Sequence, residues 1–173
     1  YIVVVSATVG ALISFAINLV VVIIFAICSG VQFTWWVLLV PLNCIQLYAL
    51  ALGVTLLLAT MYVYFRDIAH LWDVAQQVLF YAMPIIYPLS MVIGNNSLGR
   101  WGTVIAKVQL LNPIAQCIQD LRHNLVAPLT QPTVWNLVGS PLLMMVPVVL
   151  TVILCVLGVA VFRKCNRKFA EVM

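Results

Sequence analysis

The sequence predicts an all-α integral membrane protein with four membrane spans and short re-entrant helices on the outer side. Hydrophobic residues make up 65% of the 173, and only 7% of the residues are charged. A soluble domain has about half of its residues apolar and about a quarter charged. Uncharged apolar stretches of about 20 residues are typical of transmembrane helices, because lipid offers no hydrogen-bond partners to an open backbone. The few polar residues must therefore carry the function.

Four apolar stretches define the predicted spans: 2–27, 36–65, 74–93 and 134–162. The first of them contains no charged residue, and small or polar residues recur every four positions along one helical face: Ser6, Gly10, Ser14 and Asn18. Small residues at this spacing let two helices approach closely in lipid. This stripe is predicted to pack against a neighbouring helix of the same chain or against another subunit.

The second span follows Trp35 and Trp36, which stand where an interfacial aromatic belt is expected. One stripe of this helix carries its polar and small residues: Asn43, Gln46, Ala49, Gly53 and Thr60. Such groups are predicted to face protein or a water-filled path rather than lipid. Tyr48 lies on the same span. It is one of many aromatic residues in the sequence, and such rings can serve as interfacial anchors or stack on sugar faces.

The third span follows a charged cluster and ends in prolines. The cluster contains Arg66, Asp67, His70 and Asp73. An adjacent opposite-charge pair such as Arg66-Asp67 can hold a loop rigid through hydrogen bonds or anchor two spans. Near the far end of the span, Pro84 and Pro88 are predicted to break the helix and free backbone carbonyls.

The segment 94–132 mixes charged and apolar residues and is predicted to dip into the membrane edge and return as one or two short helices. A turn is predicted at 94–99. Asn112-Pro113 predicts a helix start, since Asn caps free amides and Pro fits the first turn. The helix that follows, to about Val126, is too short to cross a bilayer. Asp120 and Arg122 on it are predicted to pair with each other or to meet lipid phosphates.

The basic residues predict the orientation. The tail 163–173 carries four of them, Arg163, Lys164, Arg167 and Lys168, and the positive-inside rule places it in the cytoplasm. Counting back through four spans puts 66–73 inside, 94–131 outside and Tyr1 at the inner face. Since the chain opens at Tyr1 within an apolar stretch, the N-terminal part of a longer protein is expected to be missing.

The sequence contains no recognisable catalytic, metal or nucleotide site. The five cysteines are odd in number and none are closely spaced, which argues against a disulfide framework or a zinc site. They are interpreted as small apolar residues that pack within membrane helices. The glycine-containing turn 94–99 lacks the Lys and the Ser/Thr that hold phosphate and magnesium in a P-loop. No cofactor is therefore expected on this chain, and the small net charge of +4 argues against nucleic-acid binding.

Four motifs occur in the order of one known family. They are Tyr64-Phe65-Arg66-Asp67-Ile68, Pro84-Ile85-Ile86-Tyr87-Pro88, Leu110-Leu111-Asn112-Pro113-Ile114 with the downstream Arg122, and the end from Phe162-Arg163 to Glu171. With these motifs the chain resembles the permease subunits of type-2 ABC exporters, and the most similar group exports polysaccharide, O-antigen or teichoic acid (polyol phosphate). Each motif alone is weak, but the set with its spacing is fairly specific.

The resemblance implies that the chain holds helices three to six of a six-helix domain in the bacterial cytoplasmic membrane. It implies a second permease copy, two ATP-binding subunits that hold ATP and Mg²⁺, and a lipid-linked glycan or polyol phosphate as substrate. The inner loop with Arg66, Asp67 and His70 would contact the ATPase or gate the inner mouth. The outer gate would comprise these residues: Tyr81, Pro84, Tyr87, Pro88, Asn112, Pro113 and Arg122.

Three other functions are weighed against this one. An exporter of drugs or small lipids has the same fold type and would need a closed apolar pocket. A membrane glycosyltransferase or phosphotransferase would need charged groups clustered at one face, whereas the charges here are sparse and split between faces. A membrane anchor that recruits a partner through its basic tail leaves the polar stripes within the spans unexplained.

Overall fold

The computed structural model of the chain describes residues 2–31, 33–94, 99–126, 133–139 and 141–172. The predicted turn at 95–98 and the end of the predicted re-entrant region at 127–132 lie outside the described residues. So do the side chains of Arg167 and Lys168 in the predicted tail. In the described part, every regular element is a helix and no strand occurs.

Three described helices are long and apolar enough to cross a membrane, which confirms the all-α, multi-pass membrane class. Helix α1 runs over Ile2–Cys28, α2 over Val40–Tyr64 and α8 over Pro141–Val172. They lie on the first, second and fourth predicted spans. A 3₁₀ turn, Trp35–Leu39, precedes α2, because Pro41 has no amide to donate to the Val37 carbonyl in an α-helical bond.

The third predicted span, 74–93, is wrong as a single helix. Helix α3 runs over Ile68–Ala82, the chain is non-helical at 83–88, and a short helix α4 occupies Leu89–Ile93. The 15 residues of α3 measure about 22 Å, less than the roughly 30 Å of a bilayer core. Helix α3 also begins before residue 74, since no Gly or Pro interrupts 68–82, and it therefore contains His70 and Asp73.

The fourth predicted span begins later than expected and extends further. Val134–Leu137 forms a separate short helix, α7, and α8 begins at Pro141, where proline suits the first turn instead of bending the span. Pro147 lies inside α8, and the Thr151 hydroxyl donates to its carbonyl over 2.9 Å. The predicted tail is not a separate segment, because α8 continues to Val172.

Two short helices follow α4, as expected for the region between the third and fourth spans. Helix α5 runs over Arg100–Leu110 and α6 over Pro113–Leu125. Helix α4 packs against α5, and Leu89, Ala106, Leu110 and Val138 form a buried apolar cluster there. This cluster fixes α5, and through the turn at 111–112 also α6, beside the end of α3.

Helices α2 and α8 make the most extensive contact between two described elements, and glycines bring their backbones together. A Cβ atom added to Gly53 would lie 2.7 Å from the Cα of Cys155. A Cβ atom added to Gly158 would meet the Gly53 carbonyl group. The predicted stripe of α2 faces protein here, since Gly53 and Thr60 are buried. The hydrophobic effect does not draw helices together in lipid. Small residues instead let the two backbones approach closely, so that van der Waals packing holds the helices together.

The small-residue stripe of α1 does not pack within the described chain. Helix α1 packs on α2 through the side that carries Thr8 and Ala26, both 7% exposed. At about 100° per residue, Ser6, Gly10 and Ser14 lie on another side of the helix, and all three are exposed. Both predicted partners of this stripe, another helix of the same protein and a subunit interface, therefore stay predictions.

The glycine contact gives a testable prediction. Gly53→Val should destabilise the α2–α8 pair by roughly 1–3 kcal/mol or more, because overpacking forces two backbones apart. Thermal unfolding of the full-length permease in detergent should show a lower midpoint for this variant. Gly139→Val is the matched control, since nothing lies within 4 Å of its added Cβ. Equal midpoints for the two variants would contradict the close backbone contact.

Candidate functional site

The break between α3 and α4 leaves backbone carbonyls without helical partners. Met83 has the extended conformation (φ −92°, ψ 154°), as the residue before a proline prefers. Pro84 is buried and has no amide, and Pro88 begins α4 from an extended conformation (φ −72°, ψ 140°). The predicted helix break at Pro84 and Pro88 is therefore present. Carbonyls freed in an apolar setting need other donors.

Arg122 of α6 supplies those donors. Its Nη1 donates to the Pro84 carbonyl over 2.7 Å and, at a longer 3.5 Å, to the Tyr87 carbonyl. Its Nη2 donates to the Ile85 carbonyl. A guanidinium carries five N–H donors in a rigid planar fork, so one side chain can serve several carbonyls at once. Arg122 is half-buried and thereby joins α6 to the non-helical segment.

A second side chain, Gln109 of α5, holds the same segment. Its Nε2 donates to the Ala82 carbonyl over 2.9 Å and to the Tyr87 hydroxyl over 2.7 Å. The Ala82 carbonyl is the last of α3. We call Gln109 and Arg122, with the segment 82–88 that they bind, the outer clamp. Helices α5 and α6 thus hold the broken helix from two sides.

The predicted pairing of Asp120 with Arg122 is wrong. The Asp120 Oδ2 accepts from Gln116 Nε2 over 2.8 Å, while Arg122 donates to the broken helix. Residues two apart on a helix do not face each other. Their side chains point to different sides of α6, and each finds its partner there.

Among the predicted outer residues, Asn112 has the structural role expected of it. Its Oδ1 accepts from the Ile114 amide over 3.0 Å, which caps the start of α6. Pro113 occupies the first turn and is buried. Tyr81 lies outside the clamp: it is 70% exposed and its ring contacts only Phe80 edge to face, with centroids 5.6 Å apart, among the ring contacts described.

A chain of hydrogen bonds connects α2 to the other side of α6. Gln46 Nε2 donates to Gln116 Oε1 over 2.9 Å, and Gln116 in turn donates to Asp120. Asn43, one turn before Gln46, is buried and faces the same side. The predicted polar stripe of α2 therefore meets the polar side of α6, whereas Tyr48 is half-buried and does not line this region.

The inner-loop residues lie at the other end of α2. Arg66, Asp67 and His70 are exposed, and within the described ranges none of their side chains makes a hydrogen bond or ion pair. Asp67 precedes α3 without capping it. The predicted stabilisation of this loop by Arg66 and Asp67 is therefore not seen, and both charges are available to another molecule.

Sequence reasoning missed Gln109 and Gln116 as contributors to the site. Gln116 was visible only as part of an unusually polar run after Asn112-Pro113. Gln109 carried no signal beyond being a polar residue in the last turn of a short helix. Its partners are the Ala82 carbonyl and the Tyr87 hydroxyl, 27 and 22 residues away, and no local pattern encodes such a pairing.

Comparison with known proteins gives two relatives. The O-antigen export system permease protein RfbA of Myxococcus xanthus is 31% identical over 87 residues, which is 50% of this chain and 34% of that protein. The protein of the same name from Klebsiella pneumoniae is 26% identical over 138 residues, 80% of this chain and 46% of that protein. The chain therefore spans about a third to a half of the length of these relatives. No protein-family model matches the chain, and no solved structure matches it significantly.

The fold and the relatives agree on the class of protein. A multi-pass helical membrane chain with a proline-broken helix and short helices after it is what the resemblance implied. The relatives confirm that resemblance: the chain is related to the permease subunits of type-2 ABC exporters, and among them to those named for O-antigen export.

The outer clamp predicts a local effect of replacing Arg122. Arg122→Gln should loosen the segment 82–88, because a single amide cannot serve the carbonyls that the guanidinium binds. Hydrogen exchange of the full-length permease should be faster by at least about tenfold at the amides of Ile85 and Met91, which donate to the Met83 and Pro88 carbonyls. That factor corresponds to about 1.4 kcal/mol of local stability. Arg100→Gln, an exposed arginine at the start of α5, is the control. Unchanged exchange in Arg122→Gln would show that the clamp does not hold the break.

Asp120 predicts a pH dependence. Helix α6 is not one of the membrane-length helices, and burial raises the pKa of the Asp120 carboxyl to about 6, against lowering by the Gln116 hydrogen bond and by His123. Since the folded pKa exceeds the ordinary value of 3.8, the folded state binds this proton more tightly than the unfolded state. Stability should therefore rise as pH falls from above 6 towards 4.

The test compares wild type with Asp120→Asn, which has no proton to bind. The difference in thermal midpoint between them should change between pH 7.5 and pH 5 in favour of wild type. The change should be equivalent to about 1.4 kcal/mol, because pH 5 lies about one pH unit below the folded pKa. A pH-independent difference for Asp120→Asn would contradict the raised pKa.

Proposed function

We propose that this chain is part of the permease subunit of an ATP-driven exporter that moves a lipid-linked polysaccharide of the O-antigen kind, or a polyol phosphate, across the bacterial cytoplasmic membrane. The observation that carries the proposal is the relationship to two permease proteins named for O-antigen export. Three membrane-length helices and the polar contact between Gln46 of α2 and Gln116 of α6 support it.

The outer clamp supports a role of the broken helix in gating. Hydrogen bonds from a charged donor contribute about 1.5–3 kcal/mol each, so Arg122, together with Gln109, stabilises the segment 82–88. Since these donors lie on α5 and α6, the broken helix and the two short helices form one mechanical unit. In this proposal the outer mouth opens by displacement of that unit, and Tyr87 and Asn112 move with it.

The partners belong to the proposal too. A second copy of the permease would complete the path, and the exposed stripe of Ser6, Gly10 and Ser14 on α1 is available for helix contact with it. Two ATP-binding subunits would hold ATP and Mg²⁺. The exposed Arg66, Asp67 and His70 at the α2–α3 corner would receive them or gate the inner mouth. The basic residues at the end of α8 support a cytoplasmic C-terminus.

An export assay tests the proposal. A strain that lacks the permease gene but keeps its ATPase and polymer synthesis should display surface polymer again when the full-length permease is supplied. Replacing the P-loop lysine of the ATPase should abolish that display. Surface polymer present without the permease, or unaffected by the defective ATPase, would overturn the proposal.

The inner loop gives a prediction within the same assay. Arg66→Ala should reduce surface polymer several-fold while the amount of permease in the membrane stays normal, because an exposed arginine without internal partners contributes little to folding. Arg100→Ala is the matched control, since Arg100 is also exposed and begins α5. Normal export in Arg66→Ala would remove Arg66 from the transport mechanism.

A further inference from the structure

A cavity of about 590 Å³ lies between the first turns of α2, the polar side of α6 and the neighbourhood of α7 and α8. The gating and coupling roles described above do not use it. Its wall combines apolar side chains and two tryptophans, Trp36 and Trp135, with a small set of polar groups. This volume and mixture are typical of small-molecule sites, which measure about 300–1,000 Å³.

Two deeply buried polar side chains of the cavity wall have an atom without a partner. Asn43 is 7% exposed and Asp120 is 6% exposed, and both line the cavity. Among the described residues, Asn43 Nδ2 donates to nothing and Asp120 Oδ1 accepts from nothing. The other carboxylate oxygen of Asp120 is occupied by Gln116. Buried polar atoms are nearly always paired in folded proteins, so this donor and this acceptor point to a ligand.

The combination selects the chemistry of that ligand. One free donor and one free acceptor on the same wall require groups that can both accept and donate hydrogen bonds. Hydroxyl groups do both. An ammonium ion cannot accept from the Asn43 amide, and the negative charge of a phosphate would be repelled by the Asp120 carboxylate. Since no Lys or Arg is among the described residues that line the cavity, a phosphate would also lack a countercharge there.

The aromatic part of the wall fits the same class. Trp36 and Trp135 are 49% and 54% exposed, so their rings border the opening of the cavity rather than fill it. The ring of Trp36 is held edge to face against His123, with centroids 5.9 Å apart and planes at 69°. A tryptophan offers a large apolar face together with one N–H donor. This combination suits a cyclic ligand whose ring faces are apolar and whose edge carries polar groups.

We propose that this cavity, between Asn43 of α2 and Asp120 of α6, binds a neutral polyhydroxylated ring of the size of one sugar residue. The Asn43 amide donates to a ligand hydroxyl, and a ligand hydroxyl donates to the Asp120 carboxylate. The inference rests on the cavity alone. It requires neither that the chain exports polymer nor that the ligand is its cargo.

The experiment uses the full-length permease in lipid nanodiscs, labelled with 5-fluorotryptophan, and the ¹⁹F signals of Trp36 and Trp135 identified by Trp→Phe variants. The probes are glucose, galactose and rhamnose, with inorganic phosphate and tetramethylammonium as charged comparisons. A small neutral ligand held by few hydrogen bonds should bind with a dissociation constant of about 1–100 mM. At least one monosaccharide should shift both signals saturably, and neither phosphate nor tetramethylammonium should.

Two variants test the donor and the acceptor separately. Asn43→Leu removes the donor at similar size, and Asp120→Asn turns an amide N–H towards the cavity while its oxygen still accepts from Gln116. Each should weaken monosaccharide binding by about tenfold or more. The matched controls, Asn18→Leu on exposed α1 and Asp73→Asn on exposed α3, should bind as wild type does.

Each outcome decides the proposal. Saturable monosaccharide binding that both variants weaken and both controls preserve supports it. Binding of phosphate or tetramethylammonium in preference to the sugars, binding that the variants leave unchanged, or no binding of any probe overturns it. If one variant does not yield folded protein, the other still separates these outcomes. Sugar binding by a permease that fails to export would leave this inference standing and overturn the proposed function.

Discussion

The arrangement of this chain depends on one requirement: backbone carbonyls that prolines release inside a membrane protein must find new donors. At 83–88 the helix cannot continue, and neither water nor lipid is a dependable partner there. Arg122 and Gln109 meet the requirement from two other helices. The broken helix, α5 and α6 therefore stabilise one another, since removing any of the three leaves polar groups of the others unpaired.

This requirement also explains why a helix as short as α6 is so polar and still buried. Its 13 residues include a guanidinium on one side and Gln116, Asp120 and His123 on another. The first side binds the broken helix, and the second binds α2 through Gln46. A purely apolar α6 could pack, but it could neither satisfy the released carbonyls nor receive the amides of α2. Helix α6 is thus placed by hydrogen bonds on two sides as much as by apolar burial.

Sequence patterns predicted what is local. Pro84 and Pro88 predicted the break, Asn112-Pro113 predicted the start of α6, and the polar stripe of α2 was expected to face protein, all from steric and hydrogen-bonding rules that act over a few residues. The partner of Arg122 could not be predicted, because the carbonyls it binds lie 35 to 38 residues earlier. The third span was predicted at 74–93, whereas the helix begins at Ile68 and ends at Ala82. Apolar content alone does not show where a helix begins and ends. The roles assigned to the inner loop stay predictions, and the relationship to O-antigen permeases is confirmed by comparison rather than by geometry.

The two sides of α6 cannot change independently. Asp120 and Arg122 are two residues apart on one rigid helix, so a shift of α6 that lengthens the Gln46–Gln116 hydrogen bond of 2.9 Å also displaces the guanidinium from the Pro84 carbonyl. A ligand that bridges Asn43 and Asp120 would add a second connection between α2 and α6 and so oppose that shift. Occupancy of the cavity and mobility of the broken helix would then be linked through α6, and a ligand bound across the cavity would help to hold the clamp closed.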